Sequence, residues 1–433
     1  ERAGDELYFR DWISDVGSSD NRHPDSSGAV PADLRHKNRI SVLNVFRRGG
    51  AFEVNEIAAI TGISRQTVSK SVQYFINKGL VSDLGKGLST DIGGKRPHLY
   101  RFSCSKMLLS VTAWPDILNL TLMDMNATKI DNEITSNEIK DDPEEYFNEI
   151  GSHISEILKR NGISEDNLYG VALSVPGTID YRRSILKYSS ISPAWGTDIP
   201  VAAILRPYVG ENCIIFPENA GKMTARALLA EDGIASKRVL SLFTTWGFSA
   251  CLIDKGHILN GKDSLIGEIG HMIIDPSDTE RCGCGGYGCL ERQISEARLQ
   301  HMIEERRGRY PASALLGKIE EGVKIRDIFT ASANGDEFAK ELVSYMAKNA
   351  AMAVHNVTLT FDPDIVVFHG NFAKADKWFD TQFKTYLSAF KYYPEQGTFE
   401  IRYDDRPLDA LDMMGAANSL TGMFFEDPEL FCS

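Results

Sequence analysis

Three cysteines fall within eight residues, Cys282, Cys284 and Cys289, and His271 lies eleven residues before the first of them. One imidazole and three thiolates make a closed, four-coordinate set that suits Zn²⁺ in a structural role, because no ligand position is left for a substrate. Glycines at 283, 285, 286 and 288 let the backbone wrap around an ion without steric cost. The bland alternative is a set of buried free cysteines beside a core histidine. It does not account for three cysteines so close to one histidine. The other four cysteines, Cys104, Cys213, Cys251 and Cys432, are scattered. A secreted disulfide framework uses its cysteines more densely and evenly. Two acids flank the run, Glu268 and Glu291. The expectation is that the metal pins a loop whose carboxylates grip hydroxyls; solvated surface acids are the plain alternative.

The chain has 433 residues, material for two to three domains at about 150 residues each. It is 42% hydrophobic and 25% charged, which excludes global disorder. No stretch approaches the ~18 consecutive apolar residues of a membrane helix. The N-terminal segment is acidic and has no apolar signal core, so a cytoplasmic protein is expected, with no membrane partner. The net charge of −13 is unevenly spread. Residues 35–101 carry +8, residues 1–34 carry −5, and the remainder carries −16. A small basic module joined to a large acidic body suits a defined docking face for a polyanion.

Within the basic module, Ile40, Leu43, Val45 and Phe46 have helical apolar spacing, and Gly49-Gly50 ends the run. A short second helix is expected over 54–60. Thr61-Gly62-Ile63 then makes a tight turn, and Ser64 caps a third helix. Val68, Val72, Phe75 and Ile76 fall on one face of it. Arg65, Gln66, Ser69, Lys70 and Gln73 fall on the other, with Thr67 near its start. Such side chains bond to base edges and phosphates, and a helix fits the major groove. A strand over 80–84, a glycine-rich loop with Lys86, Lys95 and Arg96, and a strand over 98–102 predict a basic hairpin against the sugar-phosphate backbone. The module, 35–103, therefore reads as a winged helix-turn-helix for double-stranded DNA, preceded by an acidic leader, 1–34. A helical bundle with a merely solvated polar face would not also bring the hairpin and the local charge.

From about residue 107 strands alternate with helices. Strands are expected at 108–112, 118–123, 168–174, 239–244, 250–253 and 365–368, and helices at 142–159, 336–359 and 408–425. No tandem repeat of roughly 20–50 residues is present. Alternation over more than 300 residues argues for sheets covered by helices in two lobes. The fold class is α/β, and the body is assigned to 104–433, with its metal loop at 268–291.

The pattern Glu268-Ile269-Gly270-His271 followed by Cys282-Gly283-Cys284-Gly285-Gly286-Tyr287-Gly288-Cys289-Leu290-Glu291 resembles the signature of the ROK family of repressors, open reading frames and sugar kinases. The stretches Thr61 to Ser69 and Gly93-Gly94-Lys95-Arg96-Pro97 resemble the helix-turn-helix and wing of its repressor branch. The resemblance implies an actin-like, hexokinase-type body and a structural zinc on His271, Cys282, Cys284 and Cys289. It further implies a sugar site in the interlobe cleft on Glu268, His271 and Glu291, and homodimers or homotetramers on palindromic operators. The kinase branch needs an Asp-x-Gly-Gly-Thr hairpin, and Thr112-Ala113-Trp114-Pro115 stands there. It needs an aspartate base, and Pro217-Glu218-Asn219-Ala220 stands there. It needs a second glycine-rich phosphate loop, and Thr245-Trp246-Gly247-Phe248-Ser249-Ala250-Cys251 keeps one glycine of four. A glycine pair near the adenosine is replaced by His369-Gly370-Asn371, and a sugar-binding asparagine by Ile191. The expectation is a non-enzymatic regulator, a repressor of carbohydrate genes answering to a sugar or sugar-phosphate effector. The rival is an ATP-dependent sugar kinase.

Overall fold

The structure is a computed structural model that describes residues 31–47, 49–86, 97–393 and 396–426, without the side chains of 31–33. Lys95 and Arg96, with the rest of the wing tip, and the leader up to residue 30 lie outside the described residues.

The N-terminal unit is three helices and a small sheet. Helix α1 (Pro31–Phe46) is followed by β1 (Ala51–Phe52), α2 (Val54–Thr61), α3 (Arg65–Asn77), β2 (Val81–Lys86) and β3 (His98–Phe102). Residues 31–34, assigned to the acidic leader, are helical and belong to α1. Gly62 ends α2 at φ 70°, a left-handed conformation that glycine adopts freely, and its N–H closes on Ala58 O. Ser64 then caps α3 by accepting the Thr67 N–H. The sheet order is β1-β3-β2, all antiparallel, with a register shift between Asp83 and Lys86.

The body repeats one plan twice. In the first lobe β4 (Met107–Trp114), β5 (Ile117–Asp124), β6 (Lys129–Thr135), β7 (Leu168–Val175) and β10 (Ile214–Asn219) form a sheet in the order β10-β7-β4-β5-β6. The pairs β4–β5 and β5–β6 are antiparallel, whereas β4–β7 and β7–β10 are parallel. Helices α4 (Pro143–Arg160) and α5 (Val201–Val209) supply the crossovers, and a two-stranded ribbon, β8 (Thr178–Asp180) with β9 (Ile185–Tyr188), sits beside them. After α6 (Ala220–Arg226) comes the second lobe, with β11 (Arg238–Thr244), β12 (Phe248–Asp254), β13 (His257–Ile258), β14 (Ile365–Gly370) and β15 (Glu400–Asp404) in the order β13-β12-β11-β14-β15. Its helices are α7 (Leu290–Gln293), α8 (Glu296–Arg306), α9 (Ile325–Ala333), α10 (Glu337–Phe361) and α11 (Lys377–Ala389). Helix α12 (Leu408–Glu426) closes the described chain.

Strand β10 contains Pro217, which speaks against a strand in the sequence. It is tolerated because β10 is an edge strand, where the missing N–H leaves no gap in a ladder. Strand β15, Glu-Ile-Arg-Tyr-Asp, is the charged edge of the other sheet. Each lobe has its own apolar core, around Phe147, Ile154 and Leu173 in the first and around Phe338, Phe368 and Phe379 in the second. A third core joins Val42, Leu43, Val68 and Phe75 of the N-terminal unit to Leu108, Tyr169 and Phe216 of the first lobe and to Leu420, Phe424 and Phe425 of α12. Among the described residues no helix is long and apolar enough to cross a membrane.

Candidate DNA-reading face, metal loop and interlobe cleft

On α3, Val68, Val72 and Phe75 are buried, while Arg65, Gln66, Ser69, Lys70 and Gln73 are exposed together on the opposite face. The two sides of the amphipathic pattern thus separate as the spacing requires. Ser64 and Thr67 share a hydroxyl contact of 3.0 Å at the helix start, and Gln73 Nε2 donates to Asn77 Oδ1. Lys86 is exposed at the end of β2. Behind it, Asp83 accepts from Gly85 N and pairs with His98 Nδ1 at 2.9 Å, which steadies the base of the hairpin.

The four metal-ligand candidates converge. One donor atom each of His271, Cys282, Cys284 and Cys289 lies within 4.8 Å of the others. His271 Nδ1 stands 3.7 Å from Cys282 Sγ, and Cys284 Sγ stands 3.7 Å from Cys289 Sγ. Backbone bonds shape the loop: Cys282 N donates to Gly286 O, Gly285 N to Cys282 O and Ile274 N to Gly288 O. Gly288, at φ 69°, passes so close to Asp275 O that a Cβ would stand 2.2 Å from it. The donor set fits a tetrahedral, thiolate-rich ion such as Zn²⁺.

The same loop carries the two acids. At Gly270 a Cβ would come within 2.0 Å of Phe248 O, so the Glu268–His271 turn lies flush on β12. Glu268 Oε1 accepts from Thr178 Oγ1 of the other lobe at 3.3 Å, and burial pushes its carboxyl up, against the pull of His271 and Lys222. Glu291 spends Oε2 on the Phe248 N–H at 3.0 Å and so holds the β11–β12 turn; sequence reasoning does not reveal this use. Asn219 faces the cleft as the cap of α6. It accepts the Lys222 N–H and donates to Gly177 O at 2.8 Å. Glu218 is turned away, buried, and bound to Arg226 Nη2 at 2.7 Å. Trp114, from the end of β4, packs across the lobes on Phe243 and Trp246, with ring centroids 5.8 and 5.2 Å away. Beside this triad a cavity of about 120 Å³ is lined by Thr245, Asn371, Lys374, Asp404, Arg406 and Leu408.

Helix α12, about 28 Å long by its rise per residue, runs from that cavity to the reader. Thr112 Oγ1 donates to the buried Asp412 Oδ2 at 2.5 Å. A Cβ on Gly415 would stand 1.9 Å from Met223 O, and Asn418 Nδ2 donates to Arg226 O, so α12 lies directly on α6. At the far end Phe102 packs on Phe424 and Phe425, and Asn44 Nδ2 of α1 donates to Phe425 O at 3.2 Å. No local sequence signal marks this contact.

Residues 37–84 match the MarR family, and residues 117–418 match the ROK family. The xylose repressor of Caldicellulosiruptor bescii is 24% identical over 338 residues, 77% of this chain and 83% of that protein. The glucokinase of Thermotoga maritima is 26% identical over 208 residues, 47% of this chain and 64% of the enzyme. A crystal structure titled as a ROK family transcriptional regulator, homologous to the Escherichia coli MLC protein, aligns at a TM-score of 0.75 and 19% identity over 91% of this chain and 97% of that one, which shows a shared fold. A match that covers more than half of the chain, through both lobes and the metal loop, leaves one conclusion: the chain belongs to the ROK family.

Proposed function

We propose that this protein is a DNA-binding transcriptional regulator, a repressor of carbohydrate uptake or catabolism genes, controlled by a sugar-derived effector in the interlobe cleft. The observation that carries this reading is the exposed polar face of α3 on a unit whose apolar core is continuous with the body. Residues 35–103 act as the reader and 104–433 as the sensor. Ser64, Arg65, Gln66, Thr67, Ser69, Lys70 and Gln73 meet the major groove, and Lys86, Lys95 and Arg96 meet phosphates. The protein works in the cytoplasm as a homodimer or homotetramer on a palindromic operator, with two copies of α3 in successive major grooves about 34 Å apart. His271, Cys282, Cys284 and Cys289 hold a structural zinc, which when bound supplies the fixed charge and cross-link that pin the Glu268 loop. Glu268 and Glu291 take effector hydroxyls. The effector shifts the lobes only by its differential affinity for the open and closed arrangements, and α12 passes that shift to the reader.

Three observations support reading the body as a sensor and not a sugar kinase. The aromatic triad fills the turns where phosphate loops belong. Asn219 caps a helix and has no basic group, and Glu218 is held by Arg226. The 120 Å³ cavity is smaller than the ~300 Å³ at which ligand pockets begin.

The test is selection of promoter fragments by the purified full chain, read by fluorescence anisotropy. Arg65→Ala and Lys70→Ala each weaken the selected site by about 1–3 kcal/mol if they reach bases, and Lys95→Ala lowers the salt slope by about one. Retention of no fragment, together with ATP-dependent phosphorylation of a sugar that is lost in Glu218→Gln, overturns the reading in favour of the kinase.

A further inference from the structure

Lys222, on α6, is 5% exposed. Its ammonium has three protons to donate, and one acceptor is in place, Asn260 Oδ1 at 3.3 Å. Among the described residues no carboxylate lies within 4.0 Å of its Nζ. Glu218, four residues before it in β10, is committed to Arg226 and to the Asn219 N–H. Glu268 feels the lysine charge but spends an oxygen on Thr178 and stays beyond ion-pair distance. A buried ammonium is costly unless an anion faces it. The buried Glu218 nearby has its counter-ion in Arg226. Asn260 accepts from the Lys222 ammonium and Asn219 from its backbone N–H, and both asparagines, like Thr178 and Glu268, are partly exposed.

We propose that the cleft effector is an anionic sugar derivative, a polyhydroxylated ligand whose carboxylate or phosphate is received by Lys222 and Asn260 while Glu268 takes its hydroxyls. This rests on the reading of the cleft as an effector site. It narrows that reading from sugars in general to acidic ones. Lys222 replaces nothing in the metal loop or the DNA face, so its role can be tested without disturbing either.

The experiment is calorimetric titration of the full, zinc-loaded chain with D-gluconate, D-glucuronate, glucose 6-phosphate, glucose, xylose and N-acetylglucosamine. At least one acidic member binds about tenfold or more tighter than every neutral one, the scale of one charge-assisted hydrogen bond. The carboxylates and the phosphate separate the two sources of the anion. Lys222→Met erases the preference and Lys222→Arg keeps part of it, while both retain metal content and promoter binding. Without ligand, Lys222→Met melts no lower than the parent, because a buried unpaired charge has been removed; a purely structural lysine predicts a fall. Neutral members binding as tightly as acidic ones, no binding by any member, or an acid preference that survives Lys222→Met overturns the proposal. The titrations need no DNA, so they decide this inference even if promoter binding, and with it the regulator reading, fails.

Discussion

The molecule has two joints, and they are built of opposite materials. Between reader and first lobe the joint is apolar and dry. Leu43, Phe75, Phe102, Leu108, Leu420 and Phe424 are at most 5% exposed, and four residues of chain, 103–106, separate the two sheets. Between the two lobes the joint is largely polar, with Thr178, Asn219, Lys222, Asn260 and Glu268 in it, beside one aromatic cluster in which Trp114 meets Phe243 and Trp246. Packed apolar cores do not deform continuously, so the reader and first lobe move as one body. Hydrogen-bonded groups facing a cleft exchange partners at low cost when a ligand or water replaces them. The difference teaches where motion can arise: at the polar joint, with α12 touching both.

The comparison is broken most severely at the dry joint. Phe424→Ala removes a side chain that is 1% exposed and in contact with Phe102 and Tyr169, and should cost about 3–5 kcal/mol. Differential scanning calorimetry should then resolve a separate, early transition of the reader. A single cooperative transition at nearly the parental temperature would show that the joint is not one core. Next comes the cleft wall. Cys289→Ser should release the metal, measured by plasma mass spectrometry, and lower the second lobe's stability by about 2 kcal/mol or more, among the larger single-substitution effects. Promoter affinity without effector should be left within threefold.

Where the joints meet, Asp412 sharpens the contrast. It is fully buried, and burial pushes its carboxyl up to about 7, against its hydrogen bond from Thr112. Since the folded form holds a proton that the unfolded chain has already lost above its ordinary pKa near 3.8, stability falls as pH rises from about 4 to about 7 and then levels. Asp412→Asn keeps the shape and removes that dependence. It should be more stable than the parent at pH 8 by about 1 kcal/mol or more, and within error at pH 4, in urea titrations. A gap that does not grow with pH would place the proton elsewhere. The smallest effect is optical. Trp246 is 39% exposed against the buried Trp114, so effector binding should shift tryptophan emission by a few nanometres, and Trp246→Phe should abolish most of the shift.

Much of this protein is local and therefore legible. The ligand set at 271–289, the cap at Ser64, the amphipathic α3 and the run of buried strands are patterns within a few residues, governed by donor chemistry and by the periods of helix and strand. What escaped the sequence is long-range. Pro217 disguises an edge strand, and only the sheet order shows why it is tolerated. Glu291 reads as a free acid until Phe248, 43 residues earlier, is seen to donate to it. That Lys222 is buried and bonded to Asn260, 38 residues further on, appears only in the fold. That α12 returns 381 positions along the chain to bind Asn44 is invisible in any window of residues. Composition and spacing settle which groups are available, because they act through neighbours in the chain. Which of them lose water together is settled by the tertiary packing alone, because desolvation and charge pairing depend on distance in space.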